Sequence, residues 1–266
     1  MKTLDLRLPR SNSRFYLDQD GREFPRVTSV LGVLDKPALI HWAANLEREA
    51  CIEAAWKTIA EASSKFGCIE DFRTGILRNL GPAKAHQKES SKAIEIGSQA
   101  HAWIEWHLRR ETGETVGPEP ALSEAAMRAA VAFFDWRDTV HFRPLYVEQR
   151  IFSERFRYAG TADVVANMTI NGEFHTVVCD WKTSKGIYDE YILQNAAYSE
   201  ALREMNFEPT PTAGLILRLP KSEADPSFEA RFVSEQEIAD GFVAFLSCLD
   251  IYRWTRAREA AKKEKR

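Results

Sequence analysis

The sequence predicts strands in the middle of the chain with helices before and after them, an α/β or α+β sandwich. Three observations carry this. Apolar residues recur at helical spacing through the first half, a block beginning at Arg143 is rich in Val, Ile, Thr, Tyr and Phe with partial alternation, and helical spacing returns between and after the later strands. The length of 266 residues, 44% hydrophobic and 28% charged, is enough to bury a full core and excludes disorder as the dominant state. No internal repeat and no Gly, Ser or Pro-rich linker divides the chain. One domain is therefore expected over residues 1–266: a mostly helical part over 1–141, a β-sheet core over 142–235, and a C-terminal helix with a basic tail over 236–266.

Residues 1–26 read as an irregular arm with a short strand near Phe15-Tyr16-Leu17, ended by Pro25. Thr28 and Ser29 are candidate helix caps, and a helical texture follows to about residue 141, broken near Lys36-Pro37, Gly67, Gly81-Pro82 and Gly117-Pro118. Its inward faces are expected at Leu39, Trp42, Ala43 and Leu46, at Ile94, Ala102, Ile104 and Leu108, and at Val131 and Phe134. RPLYVEQRIF, YAGTADVVANMTI and EFHTVVCDWKT then form a three-strand meander. A helix from about Ile187 to Met205, strands at AGLILRLP and FEARFV, and a final helix opened by a Ser234/Glu237 capping box complete the chain.

The formal charge is −3, so bulk electrostatics excludes a protein that coats nucleic acid non-specifically, and binding must rest on local patches. Arg109, Arg110, Arg150, Arg155, Arg157, Lys185, Arg218 and Lys221 flank the chemistry described below. The run from Arg253 to Arg266 is basic, which is either a solvated helix face or an arm that follows phosphates. Trp42, Trp56, Trp103 and Trp106 are either core or surfaces on which bases stack. Cys51, Cys68, Cys179 and Cys248 are widely spaced with no CxxC pair, against a zinc ribbon or a disulfide framework and in keeping with a reducing compartment. With no long apolar run and no signal-like start, the expectation is a cytoplasmic protein with no membrane partner; an organellar transit segment is disfavoured.

Asn171-Gly172 is a strong hairpin signal, because both central residues of a type I′ turn need positive φ. With those two residues as the loop, Ile170 faces Glu173, and counting back along both strands brings Asp163 opposite Asp180, with Lys182 on the same face by period two. Facing carboxylates repel, and a divalent cation removes that penalty. Mg²⁺ or Mn²⁺ suits carboxylate oxygens, and Lys182 could neutralise a phosphoryl oxygen or position an attacking water, which together describe phosphodiester hydrolysis. The alternative is a surface hairpin with a solvated Asp180–Lys182 ion pair. Gly97 and His101 lie four apart on a helix, so His101 projects where Gly97 lets another segment approach. Gln194 and Tyr198 share a helix face in the same way, suited to a phosphate or base contact or else to a hydrogen bond at the core edge.

The ordered blocks Gly97-x-x-x-His101, Val147-Glu148, Gly160-Thr161-Ala162-Asp163, Asp180-Trp181-Lys182-Thr183-Ser184 and Gln194-x-x-x-Tyr198 resemble the RecB-type branch of the PD-(D/E)XK nuclease superfamily. FPRVTSVLGVLDKPALIHW is similar to the opening segment of phage-type exonucleases and of the mitochondrial genome maintenance exonuclease. The resemblance implies a restriction-endonuclease-like core, a central mixed sheet flanked by helices. It implies Asp163 and Asp180 as metal ligands, completed by His101 and the backbone carbonyl of Trp181, with Lys182 catalytic and Glu148 in support. Thr183, Ser184, Lys185, Gln194 and Tyr198 would lie along the substrate. The implied activity is a Mg²⁺- or Mn²⁺-dependent DNA nuclease, and the resemblance alone favours an exonuclease. The implied partners are DNA, as single strands or duplex ends, and a recombination or single-strand-binding protein; a homo-oligomer is left open. Many RecB-like nucleases hold an iron–sulfur cluster with four cysteines around this region, but only Cys248 follows the Gln194/Tyr198 block, so no cluster is expected. A catalytically silent nucleic-acid-binding module, a structure-specific endonuclease and an RNA substrate remain the competing readings.

Overall fold

A computed structural model describes residues 14–18, 20–34, 36–61, 69–222, 224–225 and 227–264. The predicted break at Gly67, together with Cys68 and the first residues of the arm, lies outside them. The elements are β1 (Phe15–Leu17), β2 (Glu23–Pro25), α1 (Val27–Leu31), α2 (Pro37–Glu61), α3 (Ile69–Leu80), α4 (Ala85–Glu111) and α5 (Glu124–Arg137). They continue with β3 (Phe142–Ser153), β4 (Tyr158–Ile170), β5 (Glu173–Lys182), α6 (Asp189–Glu204), β6 (Ala213–Arg218), β7 (Glu229–Val233) and α7 (Glu235–Glu264). The described residues fall into two compact units, one within Met1–Leu34 and Gly97–Arg266, the other within Asp35–Ile96. None of the described helices is long and apolar enough to cross a membrane.

The first unit is built on a five-stranded mixed sheet of order β3-β4-β5-β6-β7. The predicted meander is its antiparallel part. β6 then runs parallel to β5, the crossover being α6, and β7 returns antiparallel. β4, β5 and β6 are buried almost throughout, which explains why they read as near-continuous apolar runs rather than clean alternation. α6 and α7 pack on one face through Ala197, Ala201, Leu202, Phe245 and Leu249 against Ala162, Val165 and Val178. The capping box forms as expected: Glu237 N–H donates to Ser234 Oγ at 3.3 Å and Ser234 N–H to Glu237 Oε2 at 3.0 Å. The basic run continues as helix to Glu264.

Several expectations are corrected. The arm contributes two strands, because β2 pairs antiparallel with β1. Thr28 and Ser29 lie inside α1, whose N-cap is Arg26 in extended conformation with no side-chain cap. On α5 the buried face is Ala126, Ala129, Ala130 and Phe133, while Val131 is 48% exposed; small alanines rather than the larger apolar residues meet the core. On α4, Ile104 and Leu108 are buried as expected but Ile94 is exposed.

The second unit is a helical layer in which α2 packs on α3. Thr58 sits against Gly75 and receives a hydrogen bond from Asn79 Nδ2 at 2.9 Å, and Glu47 accepts from His86. Leu39, expected inward, is 53% exposed.

Candidate functional site

The β4–β5 ladder runs without a shift from Ile170↔Glu173 to Val164↔Cys179, so its next step sets Asp163 opposite Asp180. Asn171 and Gly172 have φ of 52° and 86°, the two left-handed residues a type I′ turn requires. At the end of that ladder the side chains converge. Trp181 N–H donates to Asp163 Oδ2 at 3.0 Å, and Lys182 Nζ lies 2.6 Å from Asp180 Oδ2. This is a buried ion pair beneath the sheet end rather than the solvated surface pair of the alternative reading.

α6 supplies the layer under these groups. Gln194 Nε2 donates to Asp180 Oδ1 at 2.8 Å and to Tyr198 OH at 3.1 Å, while Gln194 Oε1 accepts from Lys182 Nζ at 3.1 Å. One amide thus ties the carboxylate and the ammonium together, and Lys182 Nζ also stands 4.9 Å from the centre of the Tyr191 ring. Gln194 and Tyr198 are buried, at 6% and 3% exposure, with their polar atoms satisfied by each other and by the site. They lie behind the carboxylates, Gln194 bonded to Asp180 and to Tyr198. Gly160 makes room for this: a Cβ there would fall 2.5 Å from Tyr198 Cε1.

α4 supplies the other wall. A Cβ on Gly97 would stand 2.8 Å from Thr183 Oγ1, so the glycine allows the close approach expected of it. One turn on, His101 Nδ1 lies 4.0 Å from Asp163 Oδ1, and its ring meets Trp181 edge-on at 5.8 Å. Of the remaining predicted residues, Ser184 donates to the Gly186 carbonyl at 2.7 Å and Lys185 is exposed.

Glu148 is placed by a feature the sequence concealed. β3 shifts register between Pro144 and Tyr146, after which Val147 pairs with Val164 and Gln149 with Ala162, so Glu148 stands opposite Asp163. Its φ of 51° is a strained value for a glutamate, of the kind that concentrates at functional sites. Two further neighbours stand close by: Tyr16, which sequence reasoning did not place at the site, and Arg218, which it counted only among the flanking basic residues. Tyr16 OH is hydrogen-bonded to Thr161 Oγ1 at 2.8 Å, tying β1 to β4 near Asp163, and Arg218 is buried beside Lys182 on β6.

The electrostatics are those of an acidic cluster short of cations. Burial pushes Asp163 and Asp180 each up to about 6, against the opposing pull of Lys182. Burial, then the charge of Asp163, carries Glu148 up to about 8. Burial works against the charge of Lys182, but Asp180 and Asp163 outweigh it and hold the ammonium above its ordinary value. Desolvation lowers His101 to about 4, leaving a neutral imidazole. Asp180 Oδ2 is buried, and its partner is the Lys182 ammonium at 2.6 Å.

A family model described as the PD-(D/E)XK nuclease superfamily matches residues 67–264, well over half of the chain and the whole of this constellation from Gly97 to Tyr198. The chain belongs to the PD-(D/E)XK nuclease superfamily. The five-stranded mixed sheet flanked by helices is the fold of that superfamily, as the resemblance implied. A search of curated proteins finds no match. PD-(D/E)XK nucleases generally use divalent metals such as Mg²⁺, and the donors fit one: hard carboxylate oxygens and a neutral imidazole. Among the described residues no group of three or more His, Cys, Asp and Glu side chains stands as a ready-formed cage. Lys182 occupies Asp180 Oδ2, and the Trp181 amide occupies Asp163 Oδ2.

Proposed function

We propose that this PD-(D/E)XK nuclease is a Mg²⁺- or Mn²⁺-dependent deoxyribonuclease that hydrolyses phosphodiester bonds at the Asp163/Asp180/Lys182 site, acting as an exonuclease. The observation that carries the reading is the buried Asp180–Lys182 pair at 2.6 Å, braced by Gln194 and facing Asp163. A structural salt bridge needs no second buried carboxylate opposite it, whereas a cation-dependent site does.

Asp163, Asp180, His101 and the Trp181 carbonyl would hold the metal, which supplies Lewis acidity to the phosphoryl oxygen and a nucleophilic water near neutral pH. Lys182 holds its ammonium where charge develops on the phosphorane-like state and orients the attacking water, and Gln194 keeps it there. Glu148, protonated at neutral pH in the metal-free site, presents a hydrogen-bond donor beside Asp163. The preference for ends rests on the similarity of FPRVTSVLGVLDKPALIHW to phage-type exonucleases, which also supports a place in DNA recombination or repair in a bacterial or phage-infected cell. The test is incubation of labelled linear, nicked and covalently closed circular DNA with Mg²⁺. Linear DNA is expected to shorten while closed circles persist. Cut circles would make the protein an endonuclease, and binding without cleavage in both Mg²⁺ and Mn²⁺ would make it a silent module.

The raised carboxylates give a second expectation. A carboxylate whose folded value lies above its unfolded value of 3.8 binds more protons folded than unfolded between 3.8 and about 6. The metal-free fold therefore loses stability as pH rises through that window, and the full cost is present above it. A divalent cation offsets the cost at neutral pH and competes with protons at pH 5. Millimolar Ca²⁺ is expected to raise the melting temperature by about 2–6 °C at neutral pH and by clearly less at pH 5. Equal shifts at both pH values would mean that the ion binds elsewhere.

A further inference from the structure

The loop from Thr183 to Tyr188, which joins β5 to α6, has no part in the chemistry above. It leaves the carboxyl end of β5 just after Lys182, on the side where β5 and β6 run parallel, and ligands of open α/β sheets bind outside such strand ends. Two anchors hold it. Ser184 Oγ donates to the Gly186 carbonyl at 2.7 Å, and Ile187 packs into the core beside Ala196 and Ile216. Two side chains of the loop are exposed, Lys185 and Tyr188.

Tyr188 is 50% exposed and is no part of that core, yet its ring is held. It meets the Tyr191 ring edge to face, with 5.6 Å between centres and 67° between planes. Tyr191 in turn has Lys182 Nζ 4.9 Å from its centre. The two distances together keep the Tyr188 ring within about 10 Å of the ammonium, which is about three phosphate steps along a stacked strand. A lone exposed aromatic side chain needs no function. This one is set apart by a fixed ring on one side and, through that ring, by the lysine where a phosphodiester is to be cut.

The charges on either side select what the exposed face would meet. Asp189 and Glu190 follow Tyr188 in the first turn of α6 and disfavour a phosphate over the ring. A nucleobase is neutral and offers a π-face whatever its identity, so stacking is compatible with those acids. The bases of a duplex are already paired and stacked, so the base that reaches Tyr188 belongs to an unpaired strand.

We infer that Tyr188 is a base-stacking platform for an unpaired nucleotide flanking the scissile phosphodiester. This rests on the nuclease reading above. The contact is made with the face of the base, so it adds affinity and places the strand over Lys182 without reading sequence.

The test measures binding of a labelled single-stranded oligonucleotide in Ca²⁺, in place of Mg²⁺, by wild type, Tyr188→Ala and Tyr188→Phe, with melting temperatures taken alongside. Tyr188→Ala is expected to bind about tenfold more weakly, with the slope of log affinity against log salt unchanged because stacking releases no counterions. Tyr188→Phe keeps the ring and is expected to recover most of that loss. An abasic residue stepped through the oligonucleotide should weaken wild type at one position and leave Tyr188→Ala unchanged there. On a duplex closed by hairpins at both ends, wild type and Tyr188→Ala should bind alike; a tenfold difference there overturns the unpaired-strand assignment. Equal affinity of wild type and Tyr188→Ala for the single strand overturns the proposal. So does intact affinity with a fall in kcat in Mg²⁺, which is the signature of a ring that only braces Tyr191 and Lys182. If Tyr188→Ala does not fold, Tyr188→Leu, which keeps bulk against Tyr191 without a π-face, decides by the same abasic comparison. Wild type that neither binds nor cuts DNA defeats the nuclease reading, whereas wild type that cuts, beside a Tyr188→Ala protein of equal affinity, defeats this inference alone.

Discussion

Replacing Lys182 with methionine is expected to lower Mg²⁺-dependent cleavage by about 10²–10³-fold, the usual loss when one fixed group that stabilises transition-state charge is removed. The ammonium is held by Asp180 at 2.6 Å and by Gln194 at 3.1 Å, so no rotation of a neighbour restores a positive charge at that point. Metal binding should survive, because the substitution removes a cation that competes for Asp180 Oδ2. Calorimetric titration with Ca²⁺ is therefore expected to show affinity equal to or tighter than wild type while kcat collapses. Cleavage within tenfold of wild type would leave Lys182 with a structural role only.

The largest effect on stability is expected at Gly214, two positions along β6 from the register partner of Asp180. In Gly214→Ala the new methyl would lie 2.0 Å from Asn195 Oδ1 and 2.6 Å from its Cγ. Asn195 has no exposed surface and donates from Nδ2 to the Val178 carbonyl at 2.7 Å, a bond that stitches α6 to β5. Turning the amide away breaks that bond and strands a buried acceptor. Overpacking and the lost hydrogen bond together are expected to cost about 2–4 kcal/mol, read as a lower urea midpoint with unchanged slope. Gly97→Ala is the contrast, because there the methyl meets only the terminal hydroxyl of Thr183, at 2.8 Å, which a rotation about χ1 can withdraw. A loss in Gly97→Ala as large as in Gly214→Ala would mean that the Thr183 contact is as rigid as the Asn195 one.

The parts of the fold legible in the sequence are those where local chemistry has one solution. Asn171-Gly172 sets the hairpin because two successive left-handed residues define the turn, and the position of Asp163 across from Asp180 follows by counting. Ser234 and Glu237 name a helix start because each satisfies the other's backbone amide. Glu148 was not legible. The turn before β4 reaches positive φ at Arg157, φ 52°, without a glycine, and the shift after Pro144 moves β3 against β4, so neither end of that hairpin announces its register.

Burial was the other hidden quantity. Gln194 and Tyr198 stand at the spacing of a helix face, and spacing does not say whether that face meets a ligand or the back of the site. Arg218 reads in sequence as one more basic residue near a strand end, and only its register beside Lys182 together with its 1% exposure sets it apart. The α5 face failed for a related reason. Helical periodicity weights large apolar residues, whereas close packing selected the alanines around Phe133.

The most direct test of the Asp163/Asp180/Lys182 site is Mg²⁺-dependent degradation of end-labelled linear DNA by wild type, Asp163→Asn and Asp180→Asn purified side by side. Both substitutions keep the volume of the side chain and one acceptor oxygen, so Trp181 N–H and Gln194 Nε2 retain their partners. The expected result is degradation by wild type and a loss of about 10³-fold or more in each variant, with circular dichroism spectra unchanged. Degradation by Asp180→Asn at the wild-type rate would contradict the assignment and send the search for the site elsewhere in the chain.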